Sequence, residues 1–190
     1  MVKAEDTLKQ MVGGSVTLDK DEKTGIAVIS LDNKKKKNAL SGSMMCELND
    51  IINELQSWQT GKGLILRGEN KTFCSGGDLN TLHNILSPTH EYNISRFIGQ
   101  CLTNLSQLPL MSVALVEGNA LGGGAEIAMS CDFMVMADDA RLAFLHKKMG
   151  VITGCGAGTR LVRKFGSSKA LDILASARTM DAMECEQLGL

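Results

Sequence analysis

Two stretches of the chain gather residues from which chemistry can be built: FCSGGDL (73–79) and GNALGGGAE (118–126). Each sets glycines behind an apolar run and ahead of a helical pattern. Glycine lets another group come close to the backbone, and a helix start offers unpaired N–H donors with a partial positive charge, so such a place favours an anion. Glycines can also simply turn the chain. Phosphate cradles fail on the residues: neither loop supplies the Lys and hydroxyl of G-x-x-x-x-G-K-[ST]. After Gly122 and Gly124, the last position of a dinucleotide fingerprint is Ile127. A nucleophile elbow fails too, because Phe73 stands two residues before Ser75 where a glycine is required. What remains is a set of donors aimed at a developing oxyanion, with the carboxyl of Glu126 nearby.

The elements that must position these residues alternate along the chain. IAVISLD (26–32) and GLILRG (63–68) read as strands. Between them, after the basic turn NKKKKN, SGS opens a helix on which Met44, Leu48, Ile51, Ile52, Leu55 and Trp58 recur at three and four residues. A second helix is expected from Glu91 to Leu108, with Ile94, Phe97, Ile98, Cys101, Leu102 and Leu105 on one face and Pro109 ending it. LMSVALVEG then reads as a strand buried on both faces, FMVMA (133–137) as another, and the pattern from Gly158 onward as helical. Strand and helix interleave, so the class is α/β with a largely parallel sheet.

Composition excludes several function classes. The chain has 190 residues, 44% hydrophobic content and two prolines, which reads as a folded domain with a core. A formal net charge of -1 and a pI near 6.3 give no electrostatic basis for nucleic-acid or membrane-surface binding. Six cysteines are scattered without a C-x-x-C pair or a His at metal spacing, so they read as reduced packing thiols, and no metal is expected. No apolar run approaches the ~20 residues of a membrane span. The start, MVKAEDTLKQMVGG, carries acids that a transit peptide avoids, so the expected location is the cytosol.

Taken in order, NAL (38–40), TFCSGGDL, SVALVEGNALGGGAEIAMSCDFMVMADDARLAF and GVITGCGAGTRLVRKFGSSKALDIL resemble the crotonase (enoyl-CoA hydratase/isomerase) superfamily. The resemblance runs from about Ser15, leaving 1–14 as an N-terminal extension and 15–190 as an acyl-CoA-binding core. It implies a ClpP/crotonase-like spiral of β-β-α units and an acyl-CoA substrate. No separate cofactor is implied, because coenzyme A is part of the substrate. By the same resemblance, the N–H groups of Gly77 and Gly123 hold the thioester carbonyl. Asn38, Ala39, Leu40, Cys74, Ser75, Gly76, Gly77, Asp78, Leu79, Gly122 and Gly123 then line the bound thioester, although Asp78 reads equally as a helix cap. Lys34 to Lys37 approach the adenosine phosphates or form a solvated turn.

The second functional position decides the reaction. Hydratases of the superfamily carry a second glutamate in a P-E-x-x-L-G stretch, where this chain has Leu145, His146, Lys147, Lys148, Met149 and Gly150. Hydration needs one group to activate water and another to protonate carbon, so the missing carboxylate argues against it. GKGLILRGENKTFCSG, LPLMSVALVEGNALGGGAE and FLHKKMG are most similar to a decarboxylating branch, which implies loss of CO2 from ethylmalonyl-CoA and, more slowly, methylmalonyl-CoA. Loss of CO2 yields the enolate directly and requires an oxyanion site plus a proton for carbon, managed by Glu126 or by His146. Two alternatives stay open: a hydratase or isomerase with His146 in place of the carboxylate, and a silent CoA-binding module. ITGCGAGTR departs from the branch by lacking its Pro and Trp-Gly-Gly. The chain stops in LGL, where members of the superfamily continue into a helical segment that covers the acyl-CoA and joins trimers or hexamers. That segment is therefore expected to be incomplete here, and trimer assembly doubtful. His83 and His90 read as structural, on a helix and a loop.

Overall fold

The computed structural model describes residues 4–78 and 88–190. Its larger sheet runs in the order β1 (Ser15–Asp21), β2 (Ile26–Asp32), β3 (Gly63–Gly68), β4 (Met111–Val116) and β6 (Phe133–Met136). The β1–β2 hairpin is antiparallel and the remaining pairings are parallel. A smaller sheet holds β5 (Asn119–Leu121), β7 (Arg141–Ala143) and β8 (Met180–Asp181). The helices are α1 (Ala4–Lys9), α2 (Gly42–Gln56), α3 (Pro88–Leu105), α4 (Gly123–Ala128), α5 (Ala157–Ser176) and α6 (Ala182–Leu188).

The chain advances by a repeated step: a strand of the larger sheet, a short extended segment at the smaller sheet, then a helix. β2 is followed by Leu40 and α2, β3 by Cys74–Gly77 and then α3, β4 by β5 and α4, and β6 by β7 and α5. Parallel neighbours require such crossovers, and each step moves the chain one place along the sheet. This is the expected α/β spiral of β-β-α units.

One face of the larger sheet carries the core. Ala27, Ile29, Leu31, Leu64, Leu66, Ala114 and Val116 alternate inward and are buried against the helices. On α2, Met44, Leu48, Ile52 and Leu55 form the buried stripe, whereas Trp58 lies beyond the helix and donates Nε1–H to the Glu22 carboxylate at 3.0 Å. Ser41 caps α2 by accepting from Met44 N at 3.3 Å.

Several sequence readings shift. The strands at 26–32 and 63–68 appear with the expected bounds. The helix expected at 91–108 runs instead from Pro88 to Leu105. It stops short of Pro109 because residues 106–108 continue in turns, with Gln107 N donating to Asn104 O and Leu108 N to Leu105 O. His90 therefore falls on a helix, and His83 lies outside the described residues. The strand at 110–118 is shorter and is not buried on both faces: Met111 is 62% exposed, and Val113 and Leu115 on the same side are half-buried. Its neighbour β6 presents Phe133, 56% exposed, on the same face. Residues 4–9, within the expected extension, form α1, which lies on α2 and α3 with Leu8 fully buried. Gly42 is the reason α1 can lie so close, because a Cβ there would stand 2.3 Å from Leu8 O.

Truncating Leu8 to Ala is expected to lower the stability of the chain by ~2–5 kcal/mol, the cost of emptying a buried leucine site. Urea denaturation followed by Trp58 fluorescence checks this. An unchanged midpoint means that α1 is not part of the cooperative unit.

Candidate active site

The first glycine loop is held between two other backbone segments. On one side, Ser75 N donates to Lys37 O (3.1 Å), Leu40 N to Gly76 O (2.8 Å) and Asp78 N to Leu40 O (2.8 Å). On the other, Cys74 N donates to Asn119 O (3.0 Å) and Leu121 N to Cys74 O (2.9 Å). Residues 38–40, 74–78 and β5 thus extend the smaller sheet. Asn38 locks the outer segment. It is buried in a left-handed conformation (φ 56), accepts from Asn33 N (2.9 Å), and donates to Glu69 O (2.8 Å) and Thr72 O (2.6 Å). Asparagine is among the few residues that adopt this backbone readily and bond to it locally.

This stitching brings the two glycine turns together. A methyl carbon on Gly124 would stand 2.2 Å from Cys74 O, so the loops meet only because there is no side chain at 124. Gly122 has φ 53 and ψ -120, a region open in practice to glycine alone. A carbon added to Gly76 would lie 3.3 Å from Gly123 N, and one added to Gly123 3.6 Å from Gly77 N. The N–H groups of Gly77 and Gly123 are therefore neighbours, and neither donates to an acceptor among the described residues. Two free amides from separate loops, one at the first turn of α4, form a site for a single negatively charged oxygen.

Glu126 stands in that same first turn and is 1% exposed. Its Oε1 accepts from Cys155 N (3.0 Å) and Ala157 N (3.3 Å), at the start of α5, and its Oε2 lies 3.0 Å from His146 Nε2. His146, buried in the 3-10 turn Leu145–Met149, keeps an Nδ1 with no hydrogen-bond partner among the described residues. Burial, and then the charge of Glu126, push the Cys155 thiol far above its ordinary range, which opposes formation of the thiolate. Burial also lowers the pKa of Arg160, which donates Nη1–H to Cys155 O at 2.7 Å from behind the loop.

A cavity of about 360 Å³ opens beside these groups. Ile94, Ile98 and Leu102 of α3, with Met45, Ile127 and Ile152, give it apolar walls, and its polar lining includes Gly77, Gly123, Glu126 and His146. Among the described lining residues there is no Lys or Arg. Leu40 and Gly76 also line the cavity, whereas Asn38, Ala39, Cys74, Ser75, Asp78 and Gly122 are not among its lining residues and take part in the hydrogen bonds of the loops. Burial pushes the Cys74 thiol up to about 12, in keeping with a packing role. Asp78 pairs with Lys36 Nζ at 2.5 Å, which ties the basic turn to the glycine loop; the helix it was expected to cap, and Leu79, lie outside the described residues. Sequence reasoning missed the amides of Cys155 and Ala157, since a backbone donor leaves no trace in residue type.

A profile of the enoyl-CoA hydratase/isomerase family matches residues 21–190. The chain belongs to this family, the crotonase family. It is 44% identical over 183 residues to ethylmalonyl-CoA decarboxylase of Gallus gallus, covering 96% of this chain and 61% of that protein. Against the Homo sapiens protein of the same name it is 43% identical, covering 97% of this chain and 60% of that protein. The crotonase chain described here therefore spans about 61% of the length of such relatives. Among solved structures, an enoyl-CoA hydratase of Geobacillus kaustophilus superposes with a TM-score of 0.86 at 29% identity, covering 94% of this chain and 67% of that one. A putative enoyl-CoA hydratase of Thermobifida fusca in complex with acetoacetyl-CoA gives 0.80 at 28% identity, covering 99% and 75%.

The glycine contacts make a paired prediction. Gly124→Ala drives a methyl into the Cys74 carbonyl and is expected to cost ~1–3 kcal/mol or more. Gly123→Ala meets only ordinary contacts, from 3.6 Å outward, and is expected to stay within ~1 kcal/mol of the parent. Denaturant midpoints of the two variants check the contrast; equal losses mean that the loops do not meet as described.

Proposed function

We propose that this site decarboxylates a malonyl-type acyl-CoA thioester, ethylmalonyl-CoA first and methylmalonyl-CoA more slowly, by way of a thioester enolate. The reading rests on one juxtaposition: the free amides of Gly77 and Gly123 at the mouth of an apolar cavity whose charged lining, among the described residues, is the Glu126–His146 pair. The thioester oxygen lies against the two amides. The bond between the α-carbon and the carboxylate breaks, its electron pair passes into the enolate held by those amides, and CO2 leaves. A proton then reaches the α-carbon. One such donor contributes ~2.7–4 kcal/mol to the stabilisation of an oxyanion.

The walls favour departure of CO2. A carboxylate set among Ile94, Ile98 and Ile127 finds no Lys or Arg in the described lining, so its charge is poorly solvated before the bond breaks and is gone afterwards. Hydration of an enoyl thioester is the competing reaction, and the names of the superposing structures favour it. It asks for a second group that activates water, and the partner of Glu126 is an imidazole rather than a carboxylate. In the proposed reaction no cofactor takes part, coenzyme A being part of the substrate. The cytosol is the proposed location.

The purified chain is expected to release CO2 and form butyryl-CoA from ethylmalonyl-CoA while leaving crotonyl-CoA unhydrated; coupled CO2 detection and mass spectrometry of the thioesters check both. Hydration without CO2 release overturns the reading in favour of a hydratase. Thioester binding with neither reaction leaves a silent module.

A further inference from the structure

A second concavity, of about 630 Å³, lies between the end of α3, the turn that follows α4 and the first two turns of α5, and it shares no lining residue with the candidate active site. Its character is the opposite of the first. Arg160, Arg163 and Lys164 line it, and Asp132 is the one acid among its described lining residues, so its formal net charge is +2. Spaced at three and four residues, the three cations share one face of α5.

Nothing in the fold neutralises them. None of the three forms an ion pair among the described residues. Asp132 is engaged elsewhere, its Oδ2 accepting from the N–H and the hydroxyl of Ser112, both at 2.8 Å. The first turn of α5 holds no acid either, and cations near the start of a helix are opposed by its dipole. Arg160 is nonetheless fixed: its guanidinium lies against Gly156, where a Cβ would stand 2.8 Å from Nη1, and that nitrogen donates to Cys155 O at 2.7 Å. One bond leaves the other N–H groups of the guanidinium for a ligand. Arg163 and Lys164 are exposed, and their side chains make no hydrogen bond among the described residues.

The charge and the remaining lining narrow the ligand. A carboxylate brings one negative charge, whereas a phosphate monoester carries about -1.5 to -2 at neutral pH on three acceptor oxygens, which matches three cationic side chains and a net charge of +2. The hydroxyls of Thr103 and Ser106 are spent on Gly99 O (2.7 Å) and Thr103 O (2.8 Å), so their oxygens are left to accept. Such groups suit a ligand body that carries hydroxyls. The volume falls within the ~300–1,000 Å³ of small-molecule sites.

We propose that this concavity is a second binding site, for a small hydroxylated phosphate monoester, with Arg160, Arg163 and Lys164 around the phosphate. It does not rest on the reaction proposed above. Arg160 joins it to the first site, since Cys155, whose carbonyl Arg160 holds, gives its own N–H to Glu126.

Isothermal titration calorimetry of the purified chain with ribose 5-phosphate, inorganic phosphate and ribose, at one ionic strength, tests the site. Ribose 5-phosphate is expected to bind, inorganic phosphate to bind more weakly, and ribose to give no detectable heat. Arg163→Gln and Lys164→Gln are each expected to raise the Kd for ribose 5-phosphate by about tenfold or more, the loss of a hydrogen bond to a charged group, with an unchanged unfolding midpoint. Lys169→Gln, exposed on the same helix and outside the concavity, is expected to stay within about twofold of the parent. Equal affinity for inorganic phosphate and ribose 5-phosphate keeps the phosphate contacts and overturns the monoester. Binding that survives both substitutions in the concavity, that falls as far in Lys169→Gln, or that is absent for both phosphates overturns the site. So does displacement of ribose 5-phosphate by butyryl-CoA, which would place it in the thioester cavity instead.

Discussion

The geometry of the site depends on one contact of backbone with backbone, that of Gly124 with the carbonyl of Cys74. Two turns, from crossovers that follow β3 and β4, approach each other more closely than any side chain at 124 allows. The ladder that fixes this approach is itself backbone: Cys74 pairs with Ala120, and Gly77 with Leu40. Hydrogen bonds of this kind contribute modestly one by one. Their effect here is directional, because they fix where the unengaged amides of Gly77 and Gly123 point. Preorganised donors cost no reorganisation when charge develops beside them.

A second constraint follows from burying a carboxylate. Removing a charge from water is strongly unfavourable unless hydrogen bonds replace the solvent. Glu126 finds such donors in the amides of Cys155 and Ala157 at the start of α5, with His146 Nε2 3.0 Å from its other oxygen, so Cys155, which lines the cavity, also helps make the buried charge tolerable. The carboxylate ties α4 to α5 across the site, which couples the arrangement of charge to the packing of the helices. The neighbouring Cys155 thiol bears the consequence, its ionisation opposed by burial and by Glu126 together.

How much of this could be read from the residues differs by element. β2 and β3 were legible to the residue, because their apolar runs end at glycine or at charge. β1 was not recognised; SVTLDKD lies at the edge of the sheet, where Asp and Lys face solvent and dilute the alternation. β5, β7 and β8 have two or three residues each, too few to show any period. β4 was over-read: its run of apolar residues does reflect a parallel strand, but the side bearing Met111 is left partly exposed. In the site, Glu126 stood out beside its glycines, Gly77, Gly123 and His146 came from the resemblance to the crotonase superfamily, and the fold brings all four to one cavity. Asn38 and Ser75 also hold the loops, which their residue types did not announce: the Asn38 amide donates to Glu69 O and Thr72 O, and the Ser75 hydroxyl to Lys36 O.

The imidazole at position 146 also makes sense as electrostatics. Two carboxylates side by side in an apolar cavity cannot both stay ionised without a cation, and none lines the described walls. The malonyl-type substrate proposed above brings its own carboxylate. With a second glutamate the cavity would then hold three acidic groups around one α-carbon, and binding would force protons onto them. Protonation of the substrate carboxyl is the outcome that blocks loss of CO2, since the bond must break from the anion. A histidine beside Glu126 removes one negative charge and supplies, when protonated, a positive one. In the proposed decarboxylation the substrate carboxylate then enters a cavity with one carboxylate fewer, and its ionised form, the one that loses CO2, is the less opposed.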